Sequence, residues 1–160
     1  MQTLQTSTPA RLCYLHLASK DPQQQVDFYR RLLDMDGLAQ ADGSWLLQGP
    51  QRAMLISPAD HSGLLAAAYD LGSQAHLSAL RTRLLGNGCN VEALDSPLLE
   101  AGAFQIRDPQ GRQTVFGVSR GASTLDRNGM PGRLQHVVFQ TTELEAMIDF
   151  YVNKIGRAHV

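Results

Sequence analysis

The chain has 160 residues (17.5 kDa), of which 43% are hydrophobic and 18% charged, with a formal net charge of −1. This is the balance of an ordinary globular protein with an ample core, and it excludes the clustered basic face of a nucleic-acid binder. No apolar run approaches the ~18 residues of a membrane helix, and the first ten residues lack the basic and apolar regions of a signal peptide. Cys13 and Cys89 make neither a metal spacing nor a disulfide framework, so both are read as reduced thiols and a cytoplasmic protein is expected.

Residues 1–10 are polar and predict a flexible N-terminus. Arg11 to Ala18 is a mostly apolar run expected to form a core strand. Asp21-Pro22 then supplies an N-cap and a proline at the first helical position, where its missing N–H costs nothing. Val26, Tyr29 and Leu33, flanked by Phe28 and Leu32, form the apolar stripe of a helix expected to end near Gly37. Strands are predicted at 38–41, 44–48 and 53–57, separated by the turn dipeptides Asp42-Gly43 and Gly49-Pro50.

A second round opens with a strand near Leu65 to Leu71. Ser73 caps a helix with Leu77, Leu80 and Leu84 on one face, closed by Gly86-Asn87-Gly88. Strands follow at 89–94, 103–107 and 113–118, the last two joined by the turn Asp108-Pro109-Gln110-Gly111. Residues 11–118 thus read as an α+β domain of two paired βαβββ units, about 11–57 and 65–118.

Residues 119–132, with Gly121, Gly129, Pro131 and Gly132, read as a linker. A third unit then begins. Arg133-Leu134-Gln135-His136-Val137-Val138-Phe139 aligns without gaps on Arg11 to Leu17, and the same offset carries Phe28-Tyr29 onto Phe150-Tyr151. Thr142 and Glu145 suggest a capping box, and Leu144, Met147, Ile148 and Tyr151 a helical stripe. Residues 133–154 are therefore the incomplete strand-helix start of a second domain. A strand and one helix cannot bury their apolar faces alone, so this piece must borrow surface from the first domain or remain partly disordered.

Paired βαβββ units, Phe-Tyr near the end of a unit's first helix and Asp-Pro-x-Gly before a final strand resemble the vicinal oxygen chelate superfamily of glyoxalases, bleomycin-resistance proteins and type I extradiol dioxygenases. The linker followed by Leu134 to Phe139 and Leu144 to Tyr151 resembles the junction between the two domains of an extradiol dioxygenase, here truncated. The tail 155–160, Ile155-Gly156-Arg157-Ala158-His159-Val160, resembles the translation of a common sequencing adapter and is expected to be non-native.

The resemblance implies Fe(II), with Mn(II) as the alternative, in the parent protein, and a small aromatic diol and dioxygen as its substrates. It also implies a metal held by two histidines and one carboxylate, a set that leaves positions open for both substrates. His136 stands where the family places the first histidine. In the first domain the corresponding positions are Tyr14, roughly Ala66, and Val115, none of which replaces such a ligand. His136 is thus the single candidate metal ligand, no cofactor is expected on this chain, and the chain alone is expected to be inactive. Two other readings stand beside this one. They are a metal-free small-molecule binder of the bleomycin-resistance type and a glyoxalase-like metalloenzyme, the latter disfavoured by Tyr14 and Val115.

Of the other polar residues, His16 shares a strand face with Tyr14 and reads as a hydrogen-bonded inward histidine. His61 and His76 read as solvated, Glu100 as a surface carboxylate and Trp45 as a packing residue. No nucleophile elbow, P-loop or dinucleotide fingerprint is present. Neither a nucleic acid nor a membrane is expected as a partner. A homo-oligomer is expected to be possible.

Overall fold

The computed structural model describes residues 10–121 and 132–156. The flexible N-terminus and most of the linker and tail expected from the sequence, including His159, lie outside these residues. The fold is α+β. No helix among the described residues is long and apolar enough to cross a membrane. The chain divides into two compact bodies, one formed by 12–68 with 132–136, the other by 10–11, 69–120 and 137–156.

In the first body, β1 (Arg11–Ser19) is followed by α1 (Pro22–Leu33), β2 (Asp36–Ala39), β3 (Trp45–Gly49), β4 (Arg52–Pro58) and β5 (Gly63–Asp70), the division between bodies falling after Ala68. The strands lie in the order β2-β3-β4-β1-β5. β1 and β4 are parallel, with His16 opposite Leu55 and Leu17 opposite Ile56. β3 runs antiparallel to both β2 and β4. Asp21 caps α1 as its sequence suggested, its Oδ1 accepting from the Gln24 amide at 3.0 Å. Val26 enters a core of Met35, Leu47, Met54 and Ile56, with Leu17, Tyr29, Leu33 and Trp45 at its margin.

The helix stops three residues before Gly37. Asp34 takes the left-handed conformation (φ 48°) that ends it, a role a short polar side chain tolerates. Gly37 serves a different purpose in β2. A Cβ there would lie 3.3 Å from Val26 Cγ1 and 3.4 Å from Arg30 Cδ, so the bare backbone lets α1 sit close on the sheet. The buried Arg52 guanidinium also closes this C-terminal end of α1. It donates to the Leu33 carbonyl, and its Nη1 donates to Gly132 O at 2.8 Å. A cation at a helix C-terminus also meets the negative end of the helix dipole.

In the second body, α2 (Gln74–Gly86) carries the expected stripe of Leu77, Leu80 and Leu84 onto β7 (Phe104–Arg107) and β8 (Gln113–Gly117), with Leu71, Phe104, Ile106, Phe116 and Val118 in the same core. The strand expected at 89–94 shrinks to β6 (Glu92–Ala93). Cys89 is still part of the helix ending, since its amide donates to Leu84 O at 2.9 Å.

The third unit departs furthest from its expected form. Residues 132–142 join no β-ladder, although 133–140 read as a strand. A strand needs a neighbour for its outward N–H and C=O groups, and no described strand offers one. The helix starts at Leu144 with Glu143 at its N-cap and without a side-chain cap. The expected Thr142–Glu145 box is therefore absent, and Thr142 instead receives the Gln110 side-chain amide at 3.5 Å. After α3 (Leu144–Ile148) the helix widens into a π-helical stretch, Asp149–Lys154, in which the Ile155 amide reaches Phe150 O at 3.0 Å. That wider turn re-phases the stripe. Met147, Phe150 and Ile155 are buried, while Leu144 and Ile148 are exposed and Tyr151 is half-buried. Phe150 and Ile155 enter the core of the second body. The piece thus borrows surface, the first of the two outcomes its composition allowed.

The aligned Phe-Tyr pairs keep one geometry, with ring centroids 5.3 Å apart at 72° in Phe28–Tyr29 and 5.1 Å at 83° in Phe150–Tyr151. Their burial is opposite, Phe28 being 50% and Phe150 5% exposed. Phe150→Ala is therefore expected to cost about 3–5 kcal/mol of unfolding free energy, the range for a buried phenylalanine. Phe28→Ala should cost clearly less. Urea unfolding of the two variants measures this, and equal losses would contradict the docking of the 144–154 helix.

Candidate functional site

The residues that the sequence singled out do not converge. His136 is exposed, in the segment without a ladder. Tyr14 and Ala66 are buried in the first body and Val115 in the second, where each fills core volume. His61 is exposed and meets its neighbour Asp60, Nδ1 to Oδ1 at 2.9 Å. His76, in the first turn of α2, has Nδ1 3.1 Å from the Leu71 carbonyl oxygen. Glu100 accepts from Gln74 Nε2 at 3.1 Å on the surface, and Trp45 packs against the first core. Cys13 donates its thiol to Ala68 O at 3.2 Å. Among the described residues, no group of three or more His, Cys, Asp or Glu side chains could hold a metal. The donor set among the described residues does not fit a metal ion.

Two polar clusters remain, one in each body. In the first, His16 Nε2 lies 2.9 Å from Ser57 Oγ. Leu17 faces the helix-covered core, so strand alternation places His16 on the opposite face of β1. Burial lowers the pKa of His16, against a smaller opposing pull from the Asp42 carboxylate. Asp42 accepts from both the Ser44 hydroxyl (2.6 Å) and the Ser44 amide (3.0 Å), and these bonds hold its carboxyl below the usual range. Because Asp42 turns to Ser44, the described contacts do not make a catalytic triad.

In the second body the Asp-Pro-x-Gly turn is also a clasp. Gly111 adopts φ 82° and donates to Asp108 O at 2.9 Å, while Asp108 Oδ1 accepts from the Gln110 and Arg112 amides, both at 2.9 Å. Asp108 Oδ2 faces Arg112 at 3.5 Å and the Tyr151 hydroxyl at 3.4 Å. Arg112 donates to Gln140 O at 2.7 Å and stands 5.0 Å over the Phe139 ring, which stacks on Tyr151. The tyrosine hydroxyl also lies 3.3 Å from Thr114 Oγ1. Burial first, and the nearby Asp108 carboxylate as well, push the Tyr151 phenol up to about 12. This cluster went unread in the sequence. Its legible signals were the Asp108-Pro109-Gln110-Gly111 turn and the recurrence of Tyr151 at the Tyr29 position.

No protein-family model matches the chain, and no curated protein does. Solved structures do. A halotolerant catechol dioxygenase, BphC, superposes with a TM-score of 0.78 at 15% identity, over 91% of this chain and 54% of its own. The 2,3-dioxygenase LapB from Pseudomonas sp. KL28 gives 0.74 at 14%, over 91% and 58%. The Mn(II)-bound glyoxalase from Novosphingobium aromaticivorans gives 0.70 at 20%, over 92% and 54%. The chain therefore spans little more than half the length of these proteins, and at such identities the likeness is one of fold.

Two titrations follow from the clusters. His16 should titrate below 6.5 by NMR. A histidine with a lowered folded pKa loses stability as pH falls from the unfolded value toward the folded one. The drop in urea midpoint just below pH 6.5 should therefore shrink in His16→Gln. For Tyr151 the sign reverses, because its folded pKa is raised. Its contribution is whole below pH ~10 and is lost as pH rises toward about 12. Absorbance titration should show one phenol ionising late, and Tyr151→Phe should remove it.

The chain shares its fold with catechol dioxygenases and with a glyoxalase.

Proposed function

We propose that this chain is the N-terminal part of an extradiol ring-cleaving dioxygenase, in which residues 11–118 form a non-catalytic domain and the segment from Arg133 opens the catalytic one. One observation carries the reading. A third unit start, with a histidine at position 136, follows a domain whose equivalent positions hold Tyr14, Ala66 and Val115. The dioxygenase-like fold supports it.

In the whole protein, His136 would be one of two histidines that hold Fe(II) together with a carboxylate. Such a metal supplies a site for both oxygens of a catechol and for dioxygen. The first domain acts as scaffold. The clasp of Asp108, Arg112 and Tyr151 holds the segment 137–154 from which the catalytic domain would continue.

The 160-residue chain, loaded anaerobically with Fe(II) or Mn(II) and desalted, is expected to retain far less than one metal per chain and to leave catechol unchanged. A protein extended along its natural reading frame should bind iron and cleave catechol, and His136→Ala should abolish both. One equivalent of metal held by the 160-residue chain would overturn the proposal and favour a glyoxalase-like site. An extended protein with no second histidine and no carboxylate ligand would overturn it as well.

A further inference from the structure

β3 and β4 are joined by the two-residue turn Pro50-Gln51, across which Gly49 pairs with Arg52. Gln51 takes φ 56°, a left-handed backbone that residues other than glycine adopt rarely. Arg52, the first residue of β4, is only 7% exposed. A buried guanidinium is costly unless its N–H groups are hydrogen-bonded. Backbone carbonyls of the first unit meet part of that demand. Nη2 donates to Leu33 O at the end of α1, and Nη1 to Pro50 O at 3.4 Å. Gly49 leaves the group its room, since a Cβ there would lie 3.1 Å from Arg52 Nε and 3.4 Å from Met35 Cγ.

A further acceptor comes from 80 residues later in the chain. Gly132 O receives Nη1 at 2.8 Å, a shorter bond than the one to Pro50. Gly132 stands at the head of the segment that carries His136, and residues 132–136 belong to the same body as Arg52. This segment joins no β-ladder, and Gly132, Arg133, Gln135 and His136 are all exposed. Neither strand pairing nor deep burial therefore fixes where it starts. The bond to Arg52 does.

We propose that Arg52 is the positioning residue of this segment, its guanidinium tying Gly132 to the C-terminal end of α1. Four residues span at most about 13–14 Å when fully extended, so holding Gly132 confines His136 within that reach of the anchor. The planar fork is essential to the role. Two nitrogens of one rigid group serve carbonyls from distant parts of the chain, a geometry that the single nitrogen of a lysine does not reproduce. That the fixed segment opens a second domain rests on the function proposed above. The hold on Gly132 does not, and it is tested in the 160-residue chain itself.

The test places a spin label at exposed Gln135→Cys, in a Cys13→Ala/Cys89→Ala background, and a control label at exposed Gln23→Cys in the first turn of α1. Arg52→Met keeps the apolar stem and removes the fork. It should raise the mobile fraction of the label at 135 by at least about twofold on the nanosecond scale of loop motion, and leave the label at 23 unchanged. Arg52→Lys keeps a cation and one donor group, so its effect should be intermediate. It decides the case if Arg52→Met does not fold. Equal mobilisation at both labels, as a general loosening of the first body would give, overturns the proposal. So does a label at 135 that neither variant mobilises. Failure of the extended protein to bind iron would sink the dioxygenase reading, while the labels still decide whether Arg52 holds Gly132.

Discussion

An amphipathic helix persists in a small domain only where a sheet or another helix covers its apolar stripe, because propensity alone does not hold so short a helix in water. That requirement organises this chain. α1 spends its stripe on Met35, Leu47, Met54 and Ile56. α2 spends its own on Phe104, Ile106 and Phe116. The third helix has the same need without a ladder beside it, and it meets that need by inserting Phe150 and Ile155 beside Leu80 and Leu84. The π-helical turn follows from this. It rotates Phe150 and Ile155 onto one side, at the expense of the Leu144–Ile148 stripe that a regular helix would have used.

Much of the architecture was legible because local chemistry and tertiary demand agreed. Asp21-Pro22, Ser73 and Asp108-Pro109-Gln110-Gly111 each act as their chemistry suggests, as two caps and a turn. Disagreements arose where a distant group did the local work. Asp34, helped by Arg52 from β4, ends α1 before Gly37, and Gly37 is then explained by the close approach of Val26. The Thr142–Glu145 signature failed for a similar reason, since Gln110 takes the Thr142 hydroxyl. At 133–140 the apolar pattern was strand-like. A pattern fixes which residues prefer burial, but a ladder also needs a partner, which no pattern contains.

The polar clusters show the same limit. His16 was expected to be an inward hydrogen-bonded histidine, and Ser57 supplies the bond across the β1–β4 register. The partners of Asp108 come from its own turn and from Tyr151, 43 residues later. The turn half of that cluster could be read from Asp-Pro-x-Gly. The Arg112–Phe139–Tyr151 half could not, because it depends on where the third helix docks.

The filling of Tyr14, Ala66 and Val115 is itself a physical argument about the first domain. A buried carboxylate without a cation beside it carries a desolvation penalty that hydrogen bonds rarely offset in full, and a buried unpaired imidazole costs as well. Position 115 is 2% exposed on β8. A glutamate there is tolerable only with a metal or another cation to meet it. Valine removes the penalty and adds apolar burial, worth ~1.5–3 kcal/mol for a side chain of this kind. Tyr14 and Ala66 resolve the same conflict by packing. All three are buried side chains, so these positions serve the fold as core. The exposed His136 meets no such penalty, so an imidazole can remain there at little cost to the fold.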